Sequence, residues 1–182
     1  MSSFSDKKQN GKGLVLLYGI PGTGKTTYIR SLVKRNPKSL FVIVPTHLIA
    51  RLTDPNFISF ITNQKNLILV IEESEQALTK RGTQENHYIS NILNMTDGLL
   101  GDCLNFKIIA TFNTKIDNID EALLRKGRLL VSYEFKELEH DKAEILREKL
   151  KVVKSDSSAL SDIYNAMSET PKSEKKAIGF AA

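Results

Sequence analysis

A segment near the start of the chain, from Gly19 to Thr26, restricts the possible folds more than any other feature. Its sequence, GIPGTGKT, fits the pattern G-x-x-x-x-G-K-[ST] and stands between an apolar run at 14–18 and an amphipathic stretch that begins at Lys25. Glycines let such a loop curl so that backbone N–H groups face phosphate oxygens, and the helix that follows adds its positive dipole end. The segment therefore predicts a phosphate-binding loop between a buried strand and a helix.

Two side chains at the end of this loop have specific expected roles. Lys25 is expected to reach the β- and γ-phosphates of a nucleotide, and the Thr26 hydroxyl is expected to bind Mg²⁺. ATP, ADP and Mg²⁺ are the ligands that this motif predicts. The residues assigned to the nucleotide are Gly19, Pro21, Gly22, Thr23, Gly24, Lys25, Thr26 and Thr27.

The rest of the chain alternates short β-branched or leucine-rich runs with amphipathic stretches, a pattern typical of parallel strands joined by crossover helices. The predicted strands are 14–18, 40–44, 67–71, 107–111 and 129–135, and the predicted helices between them are 25–34, 55–63, 86–99 and 119–125. A chain of 182 residues can bury one sizeable core. We expect an α/β fold with a five-stranded, mostly parallel sheet between helices.

After the last predicted strand only helical periodicity remains, at 139–151 and 158–167, which indicates a small helical lid. The predicted organisation is a flexible lead-in at 1–12, an α/β core at 13–137, the lid at 138–169 and a basic tail at 170–182. No recognition domain precedes the phosphate-binding loop, so we expect either an excised domain or a partner that supplies recognition.

Two carboxylates, Glu72 and Glu73, follow directly after the buried run 67–71. Parallel α/β sheets bind ligands at the carboxyl ends of their strands, so both side chains are placed where a nucleotide would lie. The first is expected to hold Mg²⁺, and the second to orient or polarise the attacking water. A solvated acidic loop is the alternative explanation.

Three further polar residues lie between the fourth and fifth predicted strands. Asn113 comes after the run 107–111, and its amide could hydrogen-bond both the γ-phosphate and the attacking water, although a turn-forming role explains it equally well. Arg125 and Arg128 flank a glycine after a short helical stretch. Arginine suits bidentate contact with phosphate oxygens, and an arginine from a second subunit can stabilise the charge that develops in phosphoryl transfer. Solvated surface arginines that cap the local structure are the alternative explanation.

Four segments, GIPGTGKTT, LILVIEE, IIATFN and IDEALLRKGR, occur in the order and spacing of the AAA branch of the AAA+ ATPases. The chain resembles this family over roughly 13–135, and in its DGLLGD, ATFNT and ALLRKGR segments it is similar to bacterial AAA proteins and to the mitochondrial Rieske-protein translocase. The resemblance implies ATP hydrolysis in a homo-oligomeric ring, commonly a hexamer, coupled to remodelling of a macromolecular client, here expected to be a protein. It also implies that Asn113 is a sensor of the γ-phosphate and that Arg125 and Arg128 are arginine fingers.

One segment departs from the family pattern. Family members that thread polypeptides carry an aromatic-hydrophobic-glycine loop after the second strand, whereas the segment 45–50, PTHLIA, contains neither an aromatic residue nor a glycine. The sequence therefore does not indicate threading. Two other functions stay open: a small-molecule kinase with the same phosphate-binding loop, and a nucleotide-dependent nucleic-acid loader or switch.

Composition restricts the partners and the compartment. The net charge of +5 leaves room for nucleic acid, but the basic residues are scattered, which favours a solvated lysine-rich surface. The chain has one cysteine, Cys103, which favours a reducing compartment, and no apolar run approaches the roughly 20 residues of a membrane span. We expect a cytoplasmic protein with no membrane segment.

Overall fold

The computed structural model describes residues 13–75, 87–96, 106–152 and 157–168. The predicted lead-in, the basic tail and Cys103 lie outside these ranges. The strands are β1 (Gly13–Tyr18), β2 (Leu40–Ile43), β3 (Leu67–Ile71), β4 (Lys107–Phe112) and β5 (Leu129–Glu134). The helices are α1 (Lys25–Arg35), α2 (Pro55–Thr62), α3 (His87–Thr96), α4 (His140–Leu150) and α5 (Leu160–Ser168), with three short 3₁₀ helices at Thr46–Arg51, Ile116–Asn118 and Glu121–Leu124.

The five predicted strands are all present, and each bound lies within one residue of its predicted place. The helix predicted over 86–99 is α3, and residues 86 and 97–99 of that prediction lie outside the described ranges. The helix predicted over 119–125 is wrong. One short 3₁₀ helix, Glu121–Leu124, stands there instead, because the Asp120 side chain accepts a hydrogen bond from Ala122 N and caps a single tight turn.

The sheet is entirely parallel in its four strand pairings, with the order β2-β3-β4-β1-β5. β4 therefore lies between β1 and β3, the two strands that lead into the phosphate-binding loop and the acidic pair. The three central strands are buried almost throughout, as expected for parallel strands covered on both faces. Because all five strands run in one direction, the loops that follow them lie at one edge of the sheet.

Alternate residues of each central strand pack into two different hydrophobic clusters, one on each face of the sheet. On β1, Leu14 and Leu16 join one cluster, and Val15 and Leu17 join the other. The first cluster is completed by α2, α3 and two 3₁₀ helices together with Leu52, and the buried side chains that the helices contribute are Ile49, Ile61, Ile89, Ile92, Met95 and Leu123. The second is completed by α1, chiefly through Ile29. This arrangement confirms the predicted α/β sheet between helices.

The chain divides into two compact units. The first holds 13–21 and the described residues from 25 to 135, and the second holds 22–24 and the described residues from 136 to 168. In the second unit α4 packs against α5, and Ala143, Ala159 and Ile163 are buried. Within the described ranges no helix is both long enough and apolar enough to cross a membrane.

Candidate active site

The phosphate-binding loop begins where β1 meets the end of β5. Phe135 N donates a 2.6 Å hydrogen bond to Tyr18 O, which brings the Phe135 carbonyl against Gly19. A Cβ atom on Gly19 would stand 2.0 Å from that carbonyl oxygen, and Gly19 has a φ of +132°. Position 19 therefore excludes any side chain, for a packing reason in addition to the phosphate-binding reason given by the motif.

Lys25, the first residue of α1, turns back over the loop and is only 7% exposed. Its Nζ donates hydrogen bonds to Gly19 O at 2.7 Å and to Ile20 O at 2.8 Å. An ammonium has three hydrogens, so one donor stays available for a further acceptor. Burial lowers the pKa of Lys25 below its ordinary value, and the carboxylates of Glu75 and Glu73 oppose this shift.

The middle of the loop, 22–24, belongs to the second unit. Gly22 and Gly24 have φ values of +80° and +99°, a conformation that glycine adopts without strain. Ser161 N, in the first turn of α5, donates a 3.0 Å hydrogen bond to Gly22 O, and a Cβ atom on Gly22 would lie 2.3 Å from Ser161 Oγ. The sequence offered no signal for this contact between Gly22 and Ser161. Thr23, between the two glycines, is buried. The remaining two predicted loop residues, Pro21 and Thr27, are exposed.

Thr26 and Glu72 are brought together by the fold. The Thr26 hydroxyl donates a 2.6 Å hydrogen bond to Glu72 Oε1. The first residue belongs to α1 and the second follows the last residue of β3, so the contact joins two segments 46 residues apart in sequence. These were the two residues predicted to hold Mg²⁺.

Glu73 has a left-handed backbone conformation, with a φ of +52°, and its side chain is exposed. This conformation costs a non-glycine residue about 1–2 kcal/mol, and such residues concentrate at functional sites. The surrounding backbone is fixed by β4: Glu73 N donates to Thr111 Oγ1 at 3.1 Å, and Ser74 N donates to Thr111 O at 2.9 Å. Ser74 Oγ also donates to Thr111 O, at 2.8 Å.

A third carboxylate, Glu75, was missed by the sequence analysis. Its Oε1 accepts a hydrogen bond from Asn113 N, directly after β4, so it links the acidic loop to the predicted sensor residue. The Asn113 side chain is half-buried. The available signal was the spacing, because Glu75 follows Glu73 by two residues in the same loop.

These residues surround a cleft of about 650 Å³ in the first unit, whose lining residues are Thr26, Thr46, Glu72, Glu73 and Glu75. Three of the five were predicted as site residues. Thr46, which begins the first 3₁₀ helix, is not among the predicted site residues, because the segment 45–50 contains no motif that points to a nucleotide site. Lys25 and Asn113 adjoin the cleft through their interactions with the acidic residues.

The two predicted arginine fingers differ in their surroundings, and neither lines the cleft. Arg125 is exposed, and its guanidinium has no hydrogen bond or ion pair with any residue in the described ranges. Arg128 is half-buried, and its Nη1 donates a 2.9 Å hydrogen bond to Ala122 O in the third 3₁₀ helix. Arg128 therefore has a local structural contact that Arg125 lacks.

A family model described as the ATPase family associated with various cellular activities (AAA) matches residues 15–137, more than half of the chain. The chain belongs to the AAA family of ATPases. Membership confirms the family predicted from the sequence segments and supports nucleotide binding at the loop between β1 and α1. The matched region includes all the predicted site residues.

Individual AAA relatives agree with this assignment. An AAA-ATPase of Arabidopsis thaliana is 32% identical over 124 residues, covering 63% of this chain and 27% of the relative. The protein CdcH of Halobacterium salinarum is 31% identical over 124 residues, covering 63% of this chain and 16% of the relative. A 26S proteasome regulatory subunit 6A of Encephalitozoon cuniculi is 31% identical over 135 residues, covering 66% of this chain and 33% of the relative. The chain thus spans a third or less of the length of these AAA proteins.

Proposed function

We propose that this chain binds Mg²⁺-ATP and hydrolyses it to ADP and phosphate in the first-unit cleft that Thr26 and the acidic residues after β3 line. The hydrogen bond of Thr26 to Glu72 carries the proposal, because it brings a hydroxyl and a carboxylate oxygen to one point beside the loop. Oxygen ligands are those that Mg²⁺ prefers, and nucleotide sites commonly supply only one or two of them from protein.

Each residue of the site has a distinct part in this proposal. The Lys25 ammonium neutralises charge on the β- and γ-phosphates and donates its third hydrogen to a phosphate oxygen. Thr26 and Glu72 would hold the Mg²⁺. When bound, the ion neutralises phosphate charge. The Glu73 carboxylate accepts a proton from water as the water oxygen attacks the γ-phosphorus and the bond to the ADP oxygen breaks. Asn113, whose backbone is anchored by Glu75, orients the water or the γ-phosphate.

Arg125 is proposed to act on a neighbouring subunit. It is exposed, it lacks a partner in the described ranges, and it does not line the cleft of its own chain. Arginine fingers supplied by a second molecule stabilise the charge of the phosphoryl-transfer transition state. A homo-oligomeric ring, which AAA membership favours, would place this guanidinium at the next subunit's nucleotide. Remodelling of a protein client is the task that we propose for such a ring.

The proposal is tested by measuring phosphate release from ATP as a function of Mg²⁺ and protein concentration, with parallel sizing of the protein. We expect Mg²⁺-dependent release whose specific activity rises with protein concentration, and a larger assembly when a slowly hydrolysed ATP analogue is present. Phosphate transfer to a small acceptor in place of water would identify a kinase. Stimulation by DNA or RNA that disappears at high salt would instead indicate a nucleic-acid loader.

A further inference from the structure

Thr111 is an unusual residue in the most deeply buried part of the sheet. It is 3% exposed near the end of β4, between the fully buried Ala110 and Phe112. A buried hydroxyl is unfavourable unless it is hydrogen-bonded. Thr111 Oγ1 accepts the 3.1 Å hydrogen bond from Glu73 N, so the hydroxyl contacts the backbone of the proposed catalytic base.

The bond coincides with the backbone strain at Glu73. Glutamate is disfavoured at a φ of +52°, so its backbone must be held by neighbours to keep that conformation. The two bonds from Ser74 to Thr111 O hold the following residue, whereas the Thr111 hydroxyl contacts the Glu73 amide itself. Rotation of the Glu73 backbone to an ordinary conformation would redirect the carboxylate that lines the cleft.

We propose that Thr111 is a positioning residue for hydrolysis: its hydroxyl fixes the Glu73 backbone in the left-handed conformation and so aims the Glu73 carboxylate into the cleft. This inference rests on the proposed function of Glu73 as the base. Thr111 has no contact with substrate in the proposal and acts only through Glu73. Small displacements of a reacting group lower rates strongly, because proton transfer depends on close approach and alignment.

Thr111→Val tests the inference, because valine keeps the branched shape and the strand preference of threonine but cannot accept the amide hydrogen. We expect kcat to fall about tenfold or more, part of the 10²–10⁴-fold contribution of a positioned base. KM for ATP and the affinity for a slowly hydrolysed analogue should stay within about twofold of wild type, since the loop and Thr26 are untouched. Thr111→Ser restores the hydroxyl and should restore kcat.

Thr96→Val is the matched control. Thr96 is also 3% exposed, but its hydroxyl donates to Ile92 O within α3 and Thr96 does not line the cleft, so its replacement should leave kcat unchanged. If Thr111→Val does not fold, Thr111→Ala removes the same acceptor without placing a new methyl group, and the same kinetic pattern is expected. A variant that loses ATP affinity and kcat together, with no recovery in Thr111→Ser, would show a structural role only and overturn the inference.

Combination with Glu73→Gln separates this inference from the proposed function. If Thr111 acts only through the Glu73 carboxylate, Thr111→Val should slow single-turnover hydrolysis in the wild type but not in the Glu73→Gln background. If the Glu73→Gln variant hydrolysed ATP at the wild-type rate, the proposed function of Glu73 as the base would be wrong. Slow turnover in Glu73→Gln with wild-type kcat in Thr111→Val would leave the function in place and overturn only the role of Thr111.

Discussion

Thr26 and Glu72 are hydrogen-bonded at 2.6 Å although the strands that lead to them, β1 and β3, are not neighbours in the sheet. β4 lies between those strands, so the first turn of α1 reaches across the end of β4 to the acidic loop. The same strand supplies Thr111, which holds the backbone of that loop. The cleft is lined by residues that follow β1, β2 and β3, and β4 contributes Thr111, which supports the acidic loop.

Lys25→Ala should lose measurable nucleotide binding, because the variant removes the cation that faces the phosphates. Isothermal titration with ATP and Mg²⁺ measures this, and Lys34→Ala, at an exposed lysine in the last turn of α1, is the control. Unchanged ATP affinity in Lys25→Ala would count against the assignment of the loop.

Glu73→Gln should bind Mg²⁺-ATP with nearly wild-type affinity and hydrolyse it 10²–10⁴-fold more slowly, roughly the contribution of a general base. The amide keeps the shape of the side chain but cannot accept the proton. Phosphate release and analogue binding are measured on the same samples, with Glu148→Gln on the exposed face of α4 as control. Turnover near the wild-type value would remove Glu73 from the mechanism.

Arg125→Ala should leave ATP binding and thermal stability intact but reduce hydrolysis by about 10³-fold, the lower range for arginine fingers. Arg128→Ala, unlike Arg125→Ala, should lower the melting temperature, because it removes the hydrogen bond to Ala122 O. Mixing Arg125→Ala with Lys25→Ala should restore part of the activity, because an intact loop can then face an intact finger. The absence of rescue, with specific activity independent of concentration, would contradict a mechanism between subunits.

Gly19→Ala should be far more destabilising than Gly127→Ala. Both glycines have positive φ values, +132° and +95°, but a Cβ on Gly127 would meet nothing within 4 Å, whereas one on Gly19 would meet Phe135 O. Gly127→Ala should therefore show only the backbone cost of about 1–2 kcal/mol. Gly19→Ala adds a steric clash and should lose roughly 3 kcal/mol or more. Urea unfolding compares the two, and equal losses would show that the Phe135 contact relaxes freely.

The lowered pKa of Lys25 predicts a pH dependence of stability. Between the lowered pKa of the folded state and the ordinary value of 10.5, the unfolded chain holds the Lys25 proton more than the folded protein does. The free energy of unfolding contributed by this group should therefore rise with pH across that window. We expect the wild type to gain stability relative to Lys25→Met as pH rises towards 10.5 in urea titrations without nucleotide. A constant difference between the two proteins would contradict the burial of the ammonium.

The amino-acid sequence predicted the elements of the fold well because the information is local. The strand at 67–71 was predicted with its observed bounds, since five consecutive apolar residues fit a strand buried on both faces. The prediction failed at 119–125, where apolar spacing suggested a helix but the Asp120 cap closes a 3₁₀ turn. Helical spacing over so few residues does not distinguish these two structures.

The sequence by itself determined the α/β class, the AAA family and the residue types available for phosphate chemistry. Tertiary structure alone decided the strand order that places β4 beside both β1 and β3, the left-handed backbone of Glu73, the pairing of Glu75 with Asn113 N and the contact of Ser161 with Gly22. The physical reason is the separation along the sequence over which each kind of interaction acts. Periodicity and turn chemistry act between near neighbours along the chain, whereas these contacts join segments that only packing of the whole sheet or of the helical unit brings together.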